Sequence, residues 1–141
     1  RLLTQLPNLL RHLLHIRRSM AALDYEPELN WEFERVDEQP YSHYTEATED
    51  IKQLKREKRH DEVEELLLWC IDYTEAEARA LEYGIARAYY RHLAIVYRKD
   101  NRHDDEVEIL ERYVNVCEEL DQDPREKLVD RLDRARELAS S

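Results

Sequence analysis

Arg59-His-Asp-Glu-Val-Glu64 returns further along the chain as Arg102-His-Asp-Asp-Glu-Val-Glu108. The surroundings repeat with it: Leu54-Lys-Arg-Glu-Lys leads into the first copy and Tyr97-Arg-Lys-Asp-Asn into the second, while Leu67 and Leu110 close them. Allowing one extra Asp in the second copy pairs Glu62 with Glu106, Val63 with Val107 and Glu64 with Glu108. A spacing of roughly 43–44 residues between copies marks a helical repeat array, in which each unit buries its apolar face against the next. Arrays of this kind bind partners; they seldom catalyse.

Composition supports long helices. A single Gly and four Pro in 141 residues leave little material for loops or a turn-rich β fold. Hydrophobic residues make up 42%, enough for a core and too many for disorder, provided they gather in stripes. The net charge of -11 repels phosphate backbones, so nucleic acid is not an expected partner. Only Lys52, Lys55, Lys58, Lys99 and Lys127 are lysines; an acidic, arginine-rich chain fits a salt-rich cytoplasm or an arginine-favouring genome equally. Cys70 and Cys117 lie on apolar helix faces without a CxxC, so they read as buried free thiols in a reducing, cytoplasmic setting. No apolar run reaches the ~18–20 residues that span a membrane. Opening on Arg1 without a Met suits a piece of a longer protein.

Residues 1–23 carry arginines and no acid, and Leu6, Leu9, Leu13, Ile16, Met20 and Leu23 form a helical seam. That stripe packs on its own domain or makes a homo-oligomer seam. Residues 24–43 form an acidic linker broken by Pro27 and Pro40, with Tyr25, Trp31, Phe33 and Tyr41 as anchors against the helices.

From Tyr44 to the end, helical spacing is regular. Ala47, Ile51 and Leu54 make one inner face, and Asp61 is placed to cap a second helix with Val63, Leu66, Leu67, Cys70 and Ile71 inside. Thr74 and Glu77 have capping-box spacing and predict a long helix to about Lys99. Asp104 or Asp105 starts the next, with Val107, Leu110, Val114, Cys117 and Leu120 inward. Asp123-Pro124 opens a last helix whose Leu128, Leu132, Ala135 and Ala139 face in. The expected class is all-α.

Over roughly Tyr44 to Leu120, Tyr97 stands before a short polar turn, then comes Asp-Glu-Val and an apolar helix. This resembles the tetratricopeptide family, with the spacing longer than the usual 34 and with Val63 and Val107 where that family has a small Ala. The resemblance implies antiparallel helical hairpins stacked as a short right-handed array over 44–141, with an extra N-terminal helix and a C-terminal capping helix. It further implies a protein or peptide partner held on the face made by the first helix of each hairpin. Lys52, Lys55 and Arg56 on one such helix, and Arg91, Arg98 and Lys99 on the next, then suit an acidic or carboxylate-ended peptide. The family's carboxylate-clamping Asn is missing from these positions.

Chemistry has few footholds. Glu57 with His60, and Asp100 with His103, show the carboxylate–imidazole spacing of metal-binding bundles, but both fall at helix joints, where packing is the simpler use. His12 and His15 share a helical face without a third ligand nearby. No serine sits in a nucleophile setting and Gly84 alone makes no phosphate loop, so neither catalysis nor a cofactor is expected.

Overall fold

A computed structural model describes residues 31–141 of the chain. The described residues form five α-helices: α1 Thr48–Arg56, α2 His60–Leu81, α3 Arg87–Lys99, α4 His103–Glu119 and α5 Glu126–Ser140. Two 3-10 turns, Val36–Glu38 and Tyr44–Ala47, precede them, and there is no strand among the described residues. The all-α class expected from the sequence is therefore what the described residues adopt. The helix read over 1–23, with its seam Leu6, Leu9, Leu13, Ile16, Met20 and Leu23, lies outside the described residues, as do His12 and His15.

Each helix packs against the next along the chain. Side chains also meet between alternate helices. Lys55 of α1 reaches His92 of α3, and Arg98 of α3 reaches the Arg131 carbonyl of α5, so α1, α3 and α5 share one side. On the other side Arg112 of α4 holds Asp72 and Glu75 of α2, and Arg79 of α2 holds Glu119 of α4.

Three joints close alike. Lys58, Asn101 and Asp121 take left-handed φ values of 58°, 59° and 55°. The following N–H then reaches back to a carbonyl in the last turn: Arg59 to Leu54 at 3.0 Å, Arg102 to Tyr97 at 2.9 Å, Gln122 to Cys117 at 2.8 Å. This is the Schellman closure, which usually employs glycine. Here a side chain stands in the left-handed region each time, at a cost of about 1–2 kcal/mol, less for Asn and Asp.

Burial gives the true register of the repeat. Val63 and Glu106 are both 0% exposed, Leu66 pairs with Ile109 and Leu67 with Leu110, all at the offset of 43 that separates Lys58 from Asn101. Arg59 grips Glu62 and Arg102 grips Asp105, each at 2.8 Å, in the same relation. The extra Asp is thus not an insertion; the copies run without a gap, and Glu106 occupies the place of Val63. Shifting by one residue turns a helix by about 100°, which is why α4 buries Glu106, Ile109, Tyr113 and Val116 beside the expected Leu110 and Cys117. Val107, Val114 and Leu120 are only half-buried.

Other helix ends also differ. Thr74 and Glu77 start no helix: both are buried inside α2, where Thr74 Oγ1 accepts from the Ala86 N–H at 3.0 Å and Glu77 meets His43. The apolar stripe from Leu66 simply continues through Tyr73 and Ala78, and the chain breaks later, at Glu82 in the left-handed region. The long helix expected to Lys99 is therefore two helices. Asp61 and Asp104 lie within first turns, while the N-cap positions are Arg59 and Arg102, without a side-chain cap. In α5 the N-cap is Arg125 instead of Asp123, and Ala139 is exposed while Leu128, Leu132 and Ala135 are buried.

Of the acidic segment, residues 31–43 lie along α2. Phe33 and Val36 are buried, the Trp69 indole donates to the Arg35 carbonyl at 2.8 Å, and the Tyr73 hydroxyl donates to the Ser42 carbonyl at 3.0 Å.

Candidate functional site

The two sides of the helix stack treat charge differently. On the α2–α4 side, cations are matched to acids. Arg102 holds Glu64 through two contacts of 2.8 and 2.9 Å and lies over the Tyr97 ring, whose hydroxyl donates to Glu64 at 2.7 Å. Arg112 holds buried Glu75 at 2.8 and 2.9 Å, and Tyr90 donates to the same carboxylate at 2.5 Å. Burial beside Glu75 raises the Tyr90 hydroxyl far above its usual range, so it stays a donor. Asp72 accepts from Arg112 and also pairs with Arg35. These are neutralised networks that tie α2 to α4.

The α1–α3–α5 helices carry several cations without an acid partner. Lys55 Nζ lies 2.9 Å from His92 Nδ1, and burial, then Lys99 and Arg91, hold the Lys55 ammonium below its ordinary value. Burial together with Lys55, Arg91 and Lys52 pushes His92 down to about 4, so its imidazole is neutral and accepts from Lys55. Among the described residues Lys55, Arg56, Lys58, Arg87, Arg91, Lys99, Arg125 and Lys127 have no acid within ion-pairing distance, and all but Lys58, in the α1–α2 joint, belong to α1, α3 or the start of α5.

Most of the residues read from the sequence as partner-binding fall on this side. Lys55, Arg91 and Lys99 converge there, and Lys52 adds to the field on His92 while touching Glu49 at 3.5 Å. Arg56 is exposed at the end of α1 and donates to Gln53 at 2.6 Å. Arg98 does not join them. Its Nε donates to the fully buried Glu106 at 2.9 Å, and Arg131 Nε of α5 approaches the other oxygen of the same carboxylate at 2.8 Å. The Arg131 contact is close but misaligned for a hydrogen bond, so it acts as an ion pair. Arg98 is thus half-buried and engaged with an acid of the protein's own, because gap-free register sets Glu106, not a valine, beneath it.

Four cations the sequence reading passed over, Arg87, Arg125, Lys127 and His92 when protonated, extend the face. Their signal was legible in part: three stand at helix starts, where acids are the usual choice. His60 Nδ1 meets Asp100 at 2.6 Å and ties one joint to the other. Among the described residues no three His, Cys, Asp or Glu side chains gather to hold a metal, and no helix is long and apolar enough to cross a membrane.

His92 makes the face sensitive to acid. Its folded value of about 4 lies below the ordinary 6.5, so the unfolded chain binds the proton more readily. Stability should be unaffected by this group above pH 6.5 and fall as pH drops from 6.5 towards 4, by about 2–3 kcal/mol. Urea midpoints of the native chain and of His92→Gln over that window check this; the variant should show a flatter profile.

No known protein-family model, curated protein or solved structure matches the chain.

Proposed function

We propose that the chain is a tetratricopeptide-like interaction module that binds an acidic partner peptide on its α1–α3–α5 face and carries out no catalysis of its own. One observation supports this above others: in a chain of net charge -11, seven of the eight described cations that lack an acid partner belong to α1, α3 or the start of α5. Burial first, and then the neighbouring cations, lean Lys55 and His92 towards their neutral forms, and an anion laid across the cluster would relieve the repulsion between those cations. The 43-residue correspondence between the α1–α2 and α3–α4 hairpins is in keeping with a repeat array, and hairpin arrays present the first helix of each unit to ligands. Two buried free thiols, Cys70 being pushed up to about 12 by burial, suit a reducing cytoplasmic setting.

The test is a fluorescein-labelled peptide of alternating Glu and Ser, titrated by anisotropy at low salt. Lys52→Glu with Lys99→Glu should weaken binding about tenfold and flatten its salt dependence, since both side chains are exposed and neither supports the core. Equal affinity in the variant and the native chain removes the reading.

A further inference from the structure

The basic face contains one concave place. Arg87, Ala88 and Arg91 of α3, with Arg125, Lys127 and Leu128 at the start of α5, line a cleft of about 340 Å³. No acid lines it, and none of its four cations pairs with an acid among the described residues.

Three of these cations stand at helix starts, where the dipole opposes them. The α3 helix has no acid in its first turn and no side-chain cap on Ala86, yet Arg87 opens it. Arg125 is the N-cap of α5, also without a side-chain cap hydrogen bond, and Lys127 follows in its first turn beside Glu126, an acid that does not line the cleft. Helix starts carry partial positive charge and uncapped N–H groups, which favour acids; basic side chains there oppose the dipole. The two helix starts are brought together, not scattered. The Arg125 N–H donates to the Tyr113 hydroxyl of α4 at 2.8 Å, and the buried Glu106 holds Arg98 of α3 to Arg131 of α5. The scaffold therefore presents cations and helix dipoles towards one shared volume, and a negative group inside it would offset both.

The geometry points to this cleft as the carboxylate-recognition subsite of the face, taking neighbouring Asp or Glu side chains of a partner peptide. Arginine forks match carboxylates in two-point contacts, and three arginines with one lysine favour adjacent acids over a lone one. A long polyanion such as nucleic acid, extending past the cleft, would meet the acidic remainder of the protein. Arg91 lines the cleft and also lies close to Lys55 and His92, so the subsite is continuous with the α1–α3 cluster. The inference rests on the acidic-peptide reading and makes it local.

The experiment compares Arg125→Glu with Lys127→Glu against Lys52→Glu with Lys99→Glu, on the same Glu/Ser peptide. Arg125 and Lys127 are exposed, and acids at the start of α5 suit its dipole, so the cleft variant should keep its fold by circular dichroism and urea midpoint. Its affinity should fall more than tenfold, beyond the loss from the α1–α3 variant. If the α1–α3 variant loses the peptide and the cleft variant keeps it, the subsite is wrong while the acidic-partner reading stands. If the native chain holds no such peptide, both fall. Tighter binding of a phosphoserine peptide or of a short RNA to the native chain would overturn the carboxylate assignment.

Discussion

Glu106→Ala is expected to cost about 3 kcal/mol, because it leaves the half-buried Arg98 and Arg131 facing each other with no counter-charge. Glu106 is 0% exposed and its two oxygens are divided between the two guanidiniums. Burial already holds the Arg131 guanidinium below its ordinary value, against the pull of Glu106. Small domains have about 5–15 kcal/mol in hand, so one substitution takes a large share. The loss comes from the charge left unpaired, and the pair itself is not expected to be a strong stabiliser. Replacing all three members, as Arg98→Met with Glu106→Leu and Arg131→Met, should therefore come out near neutral or up to about 4 kcal/mol more stable. Urea unfolding followed by circular dichroism measures both. A small effect of Glu106→Ala would mean that water or a rearranged side chain satisfies the arginines, and the triad would lose its role in joining α3 to α5.

Trp69→Ala is expected to cost a similar amount, about 3–5 kcal/mol, for a different reason. The ring is 0% exposed and stands edge-on to Phe33 at 5.8 Å and to Tyr73 at 5.4 Å. Its indole N–H satisfies the Arg35 carbonyl. Truncation leaves a cavity in the seat of residues 31–43 and an unmet acceptor, the latter worth about 1–3 kcal/mol where it stays buried. Proteolysis should then cut first within 31–43, with the helices from α3 onward still protected. Trp69→Phe keeps most of the ring and loses the donor, so it should cost about 1 kcal/mol. Uniform protease sensitivity across the chain in Trp69→Ala would show that this segment and the helices unfold as one.

Particular residues show what was readable beforehand. Ile51, Val63, Leu66, Leu67, Cys70 and Ile71 recur at helical spacing, and all are buried where that spacing placed them. The aromatics Trp31, Phe33 and Tyr41 were readable as anchors, and they pack on α2. Glu106 was not. A buried acid looks like a surface acid in one dimension, so valine was matched to valine, and the error rotated the predicted face of α4. Arg98 was misplaced with it, since only the acid beneath shows that its cation faces inward. The Thr74–Glu77 spacing fits a capping box, but spacing alone cannot tell a helix start from two polar residues in a helix already running, one bonded to Ala86 and the other to His43. Of the basic face, Lys52, Lys55 and Lys99 were legible through the repeat; Arg87, Arg125 and Lys127 showed only as cations at helix starts, because folding alone brings α5 against α3.

The glycine-free closures at Lys58, Asn101 and Asp121 reach beyond their own turns. Each is locked by backbone hydrogen bonds, so the direction in which one rod leaves the next is set by the main chain and is insensitive to repacking of neighbouring side chains. From α3 to α5 two such closures set the pitch of the rods, while α2 leads into α3 through residues 82–86 without one. On the proposed acidic-peptide reading, a ligand would find the contacts of α3 and α5 already spaced, and selectivity would follow the interval between its negative groups more than their total number.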